Sequence, residues 1–145
     1  MDIQILYFDV KHAVKVHDWI IDHSGGLTGT KNIGQLESVL EHIQNDLYYP
    51  NLEEKLNHLV FSINKFHAFN DGNKRSSLVL GAYFLELNGY DYCVKKFVHE
   101  MENIVVWVAE NKIDKELLKE IITSIIMEDD FSESLKLKII HSVNK

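Results

Sequence analysis

Apolar residues recur every three or four positions through almost the whole chain, in blocks of roughly four helical turns separated by short polar breaks. That period admits an all-α fold and leaves little room for a sheet. Val10, Ala13, Val14, His17, Ile20 and Ile21 share one stripe of a first helix, which Asp9 caps and which runs to about His23. Ser24-Gly25-Gly26 ends it. A second block, about Ile33 to Asp46, sets Leu36, Val39, Leu40 and Ile43 in register. Pro50 and Asn51 then break the chain. The third block, Leu52–Phe66, carries Leu56, Leu59, Val60 and Ile63. A fourth helix starts near Asn73, and its run from Leu78 to Leu85 is apolar nearly all round, which predicts a buried central helix. Asn88-Gly89 ends it, and Tyr90–Val94 reads as a brief extended piece. Further helices are expected over about Phe97–Glu110, Asp114–Met127 and Ser132–Val143. The expectation is a bundle of six or seven helices. The Gly-rich stretch 24–34, SGGLTGTKNIG, is expected as a loop or small β-hairpin.

At 145 residues the chain has the length of one domain, 1–145, able to bury a core without disulfides or a structural metal. No apolar run approaches the roughly 18 residues of a membrane span. The N-terminus carries Asp2 and Asp9 where a secretory signal would have basic residues, and the single cysteine, Cys93, suits a reducing compartment. A cytoplasmic protein is expected. A net charge of −7 argues against nucleic-acid binding through a broad basic face. The cations are lopsided, however: Arg75 is the single arginine among 15 Lys and Arg residues. Its planar fork suits phosphate, which draws attention to its neighbours.

Those neighbours form the chemical centre of the sequence, Phe66-His67-Ala68-Phe69-Asn70-Asp71-Gly72-Asn73-Lys74-Arg75. His67 closes an amphipathic helix and offers an imidazole that can take a proton near neutral pH. Asp71 supplies one carboxylate, too little for a protein cage but the usual protein share of a Mg²⁺ site completed by phosphate oxygens and water. Gly72 lets a ligand approach the backbone. The amides of Gly72, Asn73, Lys74 and Arg75 fall at the start of a helix, where N–H groups lack partners and the dipole is positive. With Lys74 and Arg75 they make an anion site. A base, a metal-binding carboxylate and a phosphate cradle within nine residues suit transfer of a phosphate-containing group to a hydroxyl.

The run from His67 to Arg75 resembles the signature of the Fic/Doc superfamily, H-x-F-x-[D/E]-G-N-[G/K]-R. Lys74, and the upstream Gly25-Gly26-Leu27-Thr28-Gly29, make it more similar to the Doc (death-on-curing) branch. The resemblance covers about residues 5–122, with a helical tail over 123–145. It implies an all-α bundle, with His67 as general base on a target hydroxyl and Asp71 as Mg²⁺ ligand. It implies that Gly72, Asn73, Lys74 and Arg75 form an anion hole for ATP phosphates. The flap at Leu27, Thr28 and Gly29 would dock the target segment by strand-like pairing. Leu78 stands where many adenylylating Fic proteins carry a second arginine, a departure that Doc-type proteins share. Gly72 stands where Doc lineages often have alanine. The resemblance implies transfer of the γ-phosphate rather than AMP, a target in translation (elongation factor Tu), and a separate antitoxin whose helix fills the cleft beside the motif. AMP transfer and a catalytically idle binding module are the alternatives.

The remaining histidines show no metal-ligand spacing, and structural or surface roles are expected for them, His17 included. Ser124-Ile125-Ile126-Met127-Glu128 matches the S-x-x-x-E form of the inhibitory helix in some self-inhibited Fic proteins. With only two fixed positions, chance is the favoured reading.

Overall fold

The computed structural model describes residues 4–145. Seven α-helices follow one another: α1 Val10–Ser24, α2 Ile33–His42, α3 Leu52–Phe66, α4 Asn73–Leu87, α5 Val94–Ala109, α6 Lys115–Met127 and α7 Glu133–Val143. Among the described residues the one β-type pairing is an isolated antiparallel bridge between Thr30 and Phe69. None of these helices is long and apolar enough to cross a membrane. The expected all-α bundle is what forms.

Helix starts follow local chemistry. The side chains of Asp9, Asn51, Asp114 and Ser132 each accept a hydrogen bond from a backbone amide three residues on, at the starts of α1, α3, α6 and α7. The end of α4 is set by Gly89 at φ 82°: its amide donates to the Glu86 carbonyl and that of Tyr90 to the Leu85 carbonyl. That left-handed finish turns the chain at once. The expected extended piece at Tyr90–Val94 is therefore absent. A 3-10 turn over Asp91–Cys93 runs directly into α5, which starts at Val94 rather than Phe97. Helix α2 also stops short of Asp46, because the Asn45 side chain accepts from the Leu47 amide and bends the chain into a turn.

The centre of the bundle is shared by two helices. α3 buries residues on every side and packs against α2, α4, α5 and α6. α4 packs on α3, α5 and α1, but Val79 remains 42% exposed, so its apolar circumference is not wholly buried. Gly81 allows the close approach: a Cβ there would lie 2.9 Å from the buried ring of Phe97 and 3.2 Å from Val60. At each end of α4 an asparagine clamps a backbone residue in both directions. Asn88 accepts from the Leu6 amide and donates to the Leu6 carbonyl, tying the N-terminal segment to the bundle. Asn73 does the same to Phe69.

Lys55 is fully buried on α3. Its ammonium donates to the Ile43 carbonyl at 2.6 Å and to Asp46 at 2.8 Å, so it satisfies the end of α2 as a positive charge should. Farther along α3, His58 stacks on Tyr49, with ring centroids 4.5 Å apart. Its Nδ1 lies 2.8 Å from the Lys115 ammonium at the start of α6.

Candidate functional site

The C-terminal ends of α1 and α3 meet the N-terminal end of α4, and the segment 67–72 turns between the last two. His67 closes α3 in the left-handed region at φ 52°. This conformation costs a non-glycine residue about 1 kcal/mol, and histidine tolerates it better than most. It turns the chain and leaves the imidazole exposed. Among the described residues that ring makes no side-chain hydrogen bond, so its nitrogens are open to a substrate.

Phe69 is completely buried and anchors the turn. The Asn73 amide group receives the Phe69 N–H at 3.1 Å and donates to the Phe69 carbonyl at 3.0 Å. The side chain of Asn73 is thus committed to the turn, and the expected part in an anion hole is left to its backbone amide. Gly72, at φ 74°, precedes α4, and its carbonyl accepts the first helical bond from Ser76. The amides of Asn73, Lys74 and Arg75 are then the first N–H groups of a fifteen-residue helix, with no acceptor among the described residues. Behind them, Asn64 donates to the Ser77 hydroxyl, and that hydroxyl donates to the Lys74 carbonyl, which fastens the first turn of α4 to the last turn of α3.

Neither Lys74 nor Arg75 forms a salt bridge with a carboxylate among the described residues. Arg75 reaches the end of α1, where one guanidinium nitrogen donates to the Ser24 hydroxyl and to the Gly25 carbonyl. Those acceptors hold the side chain without cancelling its charge. Lys74 is exposed. The start of α4 therefore carries two cations without a salt-bridge partner among the described residues and three open amides, the features that bind an anion.

Asp71 faces the same space. Its Oδ2 accepts from the Leu27 amide at 3.1 Å and its Oδ1 from the Gly72 amide at 2.8 Å. These two bonds, in that order, hold its carboxyl below the usual carboxylate range. Partial desolvation opposes them, and the charges of Arg75 and then His17 add smaller effects in the lowering direction. Each oxygen keeps a lone pair free, so the carboxylate can still join a cation's shell. No group of three or more acidic, His or Cys side chains able to hold a metal occurs among the described residues. The donor set therefore fits a Mg²⁺ that arrives with phosphate oxygens and water, and does not fit a metal held by protein alone.

The flap differs from one form anticipated for it. Residues 24–34 make no hairpin, because their backbone pairs with the motif turn instead of with itself. The Asn70 amide donates to the Gly29 carbonyl, the Lys31 amide donates to the Ala68 carbonyl, and the Asn70 side chain donates to the Thr28 carbonyl. Glycine is needed here: a Cβ at Gly26 would fall 2.5 Å from the Asp71 carboxylate and one at Gly29 2.8 Å from Asn70. Leu27, Thr28 and Gly29 are exposed beside Asp71. Around the bridge, the bonds are made by residues 29 and 31, so Thr30's own N–H and C=O point away from Phe69.

The fold thus brings His67, Asp71, Gly72, Asn73, Lys74, Arg75 and the flap to one end of the bundle. It also adds a residue not assigned to the site from sequence: His17 of α1, which is 1% exposed and lies against Phe69 and Asp71. Its only sequence signal was membership of the buried stripe of α1. Ser124 and Glu128 lie elsewhere. The end of α6 is held to the region after α4, with Tyr92 donating to the Ile126 carbonyl and Lys96 to those of Glu128 and Asp129. That is the opposite end of α4 from Arg75, about 18 Å along its axis. The S-x-x-x-E pattern therefore does not sit over the cradle.

A family model described as the Fic/DOC family matches residues 7–85, which spans α1, the flap, α2, α3, the motif turn and nearly all of α4. The chain belongs to the Fic/DOC family. Its likeness runs to the Doc branch. It is 32% identical over 83 residues to the protein named Protein kinase doc of Escherichia phage P1, a match that covers 54% of this chain and 65% of that protein. The chain thus spans just under two thirds of that relative's length. In this Fic/DOC chain, α5, α6 and α7 lie beyond the matched residues.

Proposed function

We propose that this Fic/DOC protein is a Doc-like toxin of a bacterial toxin–antitoxin pair. It moves the γ-phosphate of Mg-ATP onto a Ser or Thr hydroxyl of a translation protein, elongation factor Tu being the target that the resemblance points to. The observation that carries the reading is the start of α4: three open amides and two cations without carboxylate partners, beside an ionised Asp71 and an exposed His67. The similarity to a protein named a protein kinase supports it.

In this reading the amides of Asn73, Lys74 and Arg75 hold phosphate oxygens, and the two side-chain cations offset their charge. Asp71 holds Mg²⁺, which when bound neutralises charge on the phosphates. His67 takes the proton of the target hydroxyl as its oxygen bonds to the γ-phosphorus, the bond to the bridging oxygen breaks, and ADP leaves. The outward-facing N–H and C=O of Thr30, with exposed Leu27, offer an edge on which an extended target segment pairs. An apolar groove of about 390 Å³ starts at Arg75 and runs along Leu78, Val79, Ala82 and Tyr83. An amphipathic helix of a cognate antitoxin fits there, where it would lie beside the cradle. The setting is the cytoplasm, with no direct part for nucleic acid or membrane.

Purified protein incubated with bacterial lysate and Mg-ATP labelled at either the γ- or the α-phosphate tests the proposal. Label from the γ-position alone, lost in His67→Ala with an unchanged melting curve, is the expected result. Label from the α-position would mean adenylyl transfer. Label from neither, with no Mg-ATP binding at millimolar concentration, would mean an idle binding module.

A further inference from the structure

The motif turn is held from outside by a side chain that belongs to no signature. His17 lies on the buried face of α1 and is 1% exposed. Its Nε2 is 2.6 Å from the carbonyl oxygen of Asp71, a group that can only accept, so Nε2 carries the hydrogen. Its ring lies flat on Phe69, with centroids 3.9 Å apart and planes 5° from parallel. The other ring nitrogen is 3.8 Å from Asp18, beyond hydrogen-bond reach. The imidazole is therefore fixed in plane by one residue of the turn and directed by its donor at another.

That carbonyl belongs to the Asp71–Gly72 peptide, whose other end is also occupied. The Gly72 N–H donates to Asp71 Oδ1 at 2.8 Å. The plane of this peptide sets where the Asp71 carboxylate lies, and the next three amides along the chain are the open ones of α4. A Cβ at Gly72 would lie 3.6 Å from His17 Nε2, so α1 approaches the turn closely at this point. Asn73 restrains the turn from the α4 side through Phe69, and His17 restrains it from the α1 side. A peptide left without the His17 donor is free to rotate, which would swing the carboxylate and the cradle together.

We propose that His17 is a positioning residue of the transfer site: its Nε2–H fixes the Asp71–Gly72 peptide and thereby aims the Asp71 carboxylate and the amides that follow at the phosphates of Mg-ATP. The role rests on the phosphate-transfer reading above, but the geometry it acts through exists without nucleotide. His17 touches no reacting atom. Preorganisation of this kind matters because a misplacement of about 1 Å costs on the order of 100-fold in rate.

Two substitutions separate the donor from the ring. His17→Phe keeps a flat ring on Phe69 and removes the donor. His17→Gln places an amide N–H near the position of Nε2 and removes the ring. Amide hydrogen exchange at Gly72, measured by NMR without nucleotide, reads the peptide directly. Calorimetric binding of Mg²⁺ with a non-hydrolysable ATP analogue reads the cradle. The expected result is at least tenfold faster Gly72 exchange and at least tenfold weaker binding in His17→Phe, with both largely restored in His17→Gln. Unchanged Gly72 exchange in a folded His17→Phe protein would overturn the proposal. So would loss in His17→Gln without loss in His17→Phe, which is what ring packing alone predicts, or an equal loss in both, which would mean that an N–H restored at that place does not hold the peptide. If His17→Phe does not fold, His17→Gln decides: retained Gly72 protection supports the donor role, and lost protection refutes it. If the wild-type protein binds no Mg-ATP, the phosphate-transfer reading falls, and the exchange data alone still decide whether His17 holds the peptide.

Discussion

At the scale of single residues, the motif turn uses its two positive-φ positions in opposite ways. His67 is a side chain placed where the backbone prefers glycine, and Gly72 is a glycine placed where relatives of the Doc type often carry alanine. The surroundings of Gly72 leave room for the Cβ of alanine at a cost in backbone strain. Its φ of 74° strains any side chain, but the nearest group to an added Cβ is the flexible end of Ile21 at 3.2 Å. Gly72→Ala should therefore cost about 1 kcal/mol of stability, read by denaturant unfolding, while transfer persists. A loss of transfer would show that the cradle needs glycine itself. Gly26 is different, since a Cβ there meets the Asp71 carboxylate at 2.5 Å. The nine motif residues were legible in sequence because they adjoin one another. The Asn73 clamp and the His17 contact were not, because each depends on where a side chain points once the turn has closed.

At the scale of elements, α3 carries different chemistry at its middle and at its C-terminal end. Near its middle, His58 is nearly buried against Tyr49 and faces the Lys115 ammonium, with His42 nearby. Burial, then the charges of Lys115 and His42, lower its pKa to about 4. An unfolded chain would protonate this histidine near pH 6.5, whereas the folded chain resists until about pH 4. Stability linked to His58 is therefore intact above pH 6.5 and lost as pH falls toward 4, by at most about 3 kcal/mol. Urea midpoints measured from pH 7 to 4 should show this slope, and His58→Gln should flatten it. An unchanged slope in the variant would place the acid sensitivity elsewhere. The helix spans themselves were readable from the 3.6-residue period and the caps. The end of α4 was readable from Asn88-Gly89, but the end of α2 and the start of α5 were less so, because a turn at Asn45 and the 3-10 turn that follows Gly89 decide them through bonds of only two to five residues' reach.

At the scale of the whole molecule, the candidate site lies at the C-terminal end of α3 and the His58–Lys115 contact near its middle, about 13 Å away along the helix. They share no partner residue. His58→Gln and Gly72→Ala should accordingly change stability additively, within about 0.5 kcal/mol, and His58→Gln should leave transfer from Mg-ATP at the wild-type rate. A non-additive pair, or a slowed His58→Gln protein, would mean that α3 transmits strain between its ends. The sequence by itself determined the helical class, the order of the helices, and the run of residues that can hold a phosphate and take a proton. All of these follow from periodicity and from groups adjacent in the chain. Only the tertiary structure decided that the glycine-rich segment pairs with the motif turn instead of with itself, that Arg75 rests on the end of α1, that the S-x-x-x-E pattern lies far from the cradle, and that His17 lies beneath Asp71. The pairings of Lys31 and Thr30 with the motif turn, of Arg75 with the end of α1 and of His17 with Asp71 join residues 37 to 54 positions apart. No local preference encodes them, because they exist only after helix packing has brought the ends of α1, α3 and α4 to one place.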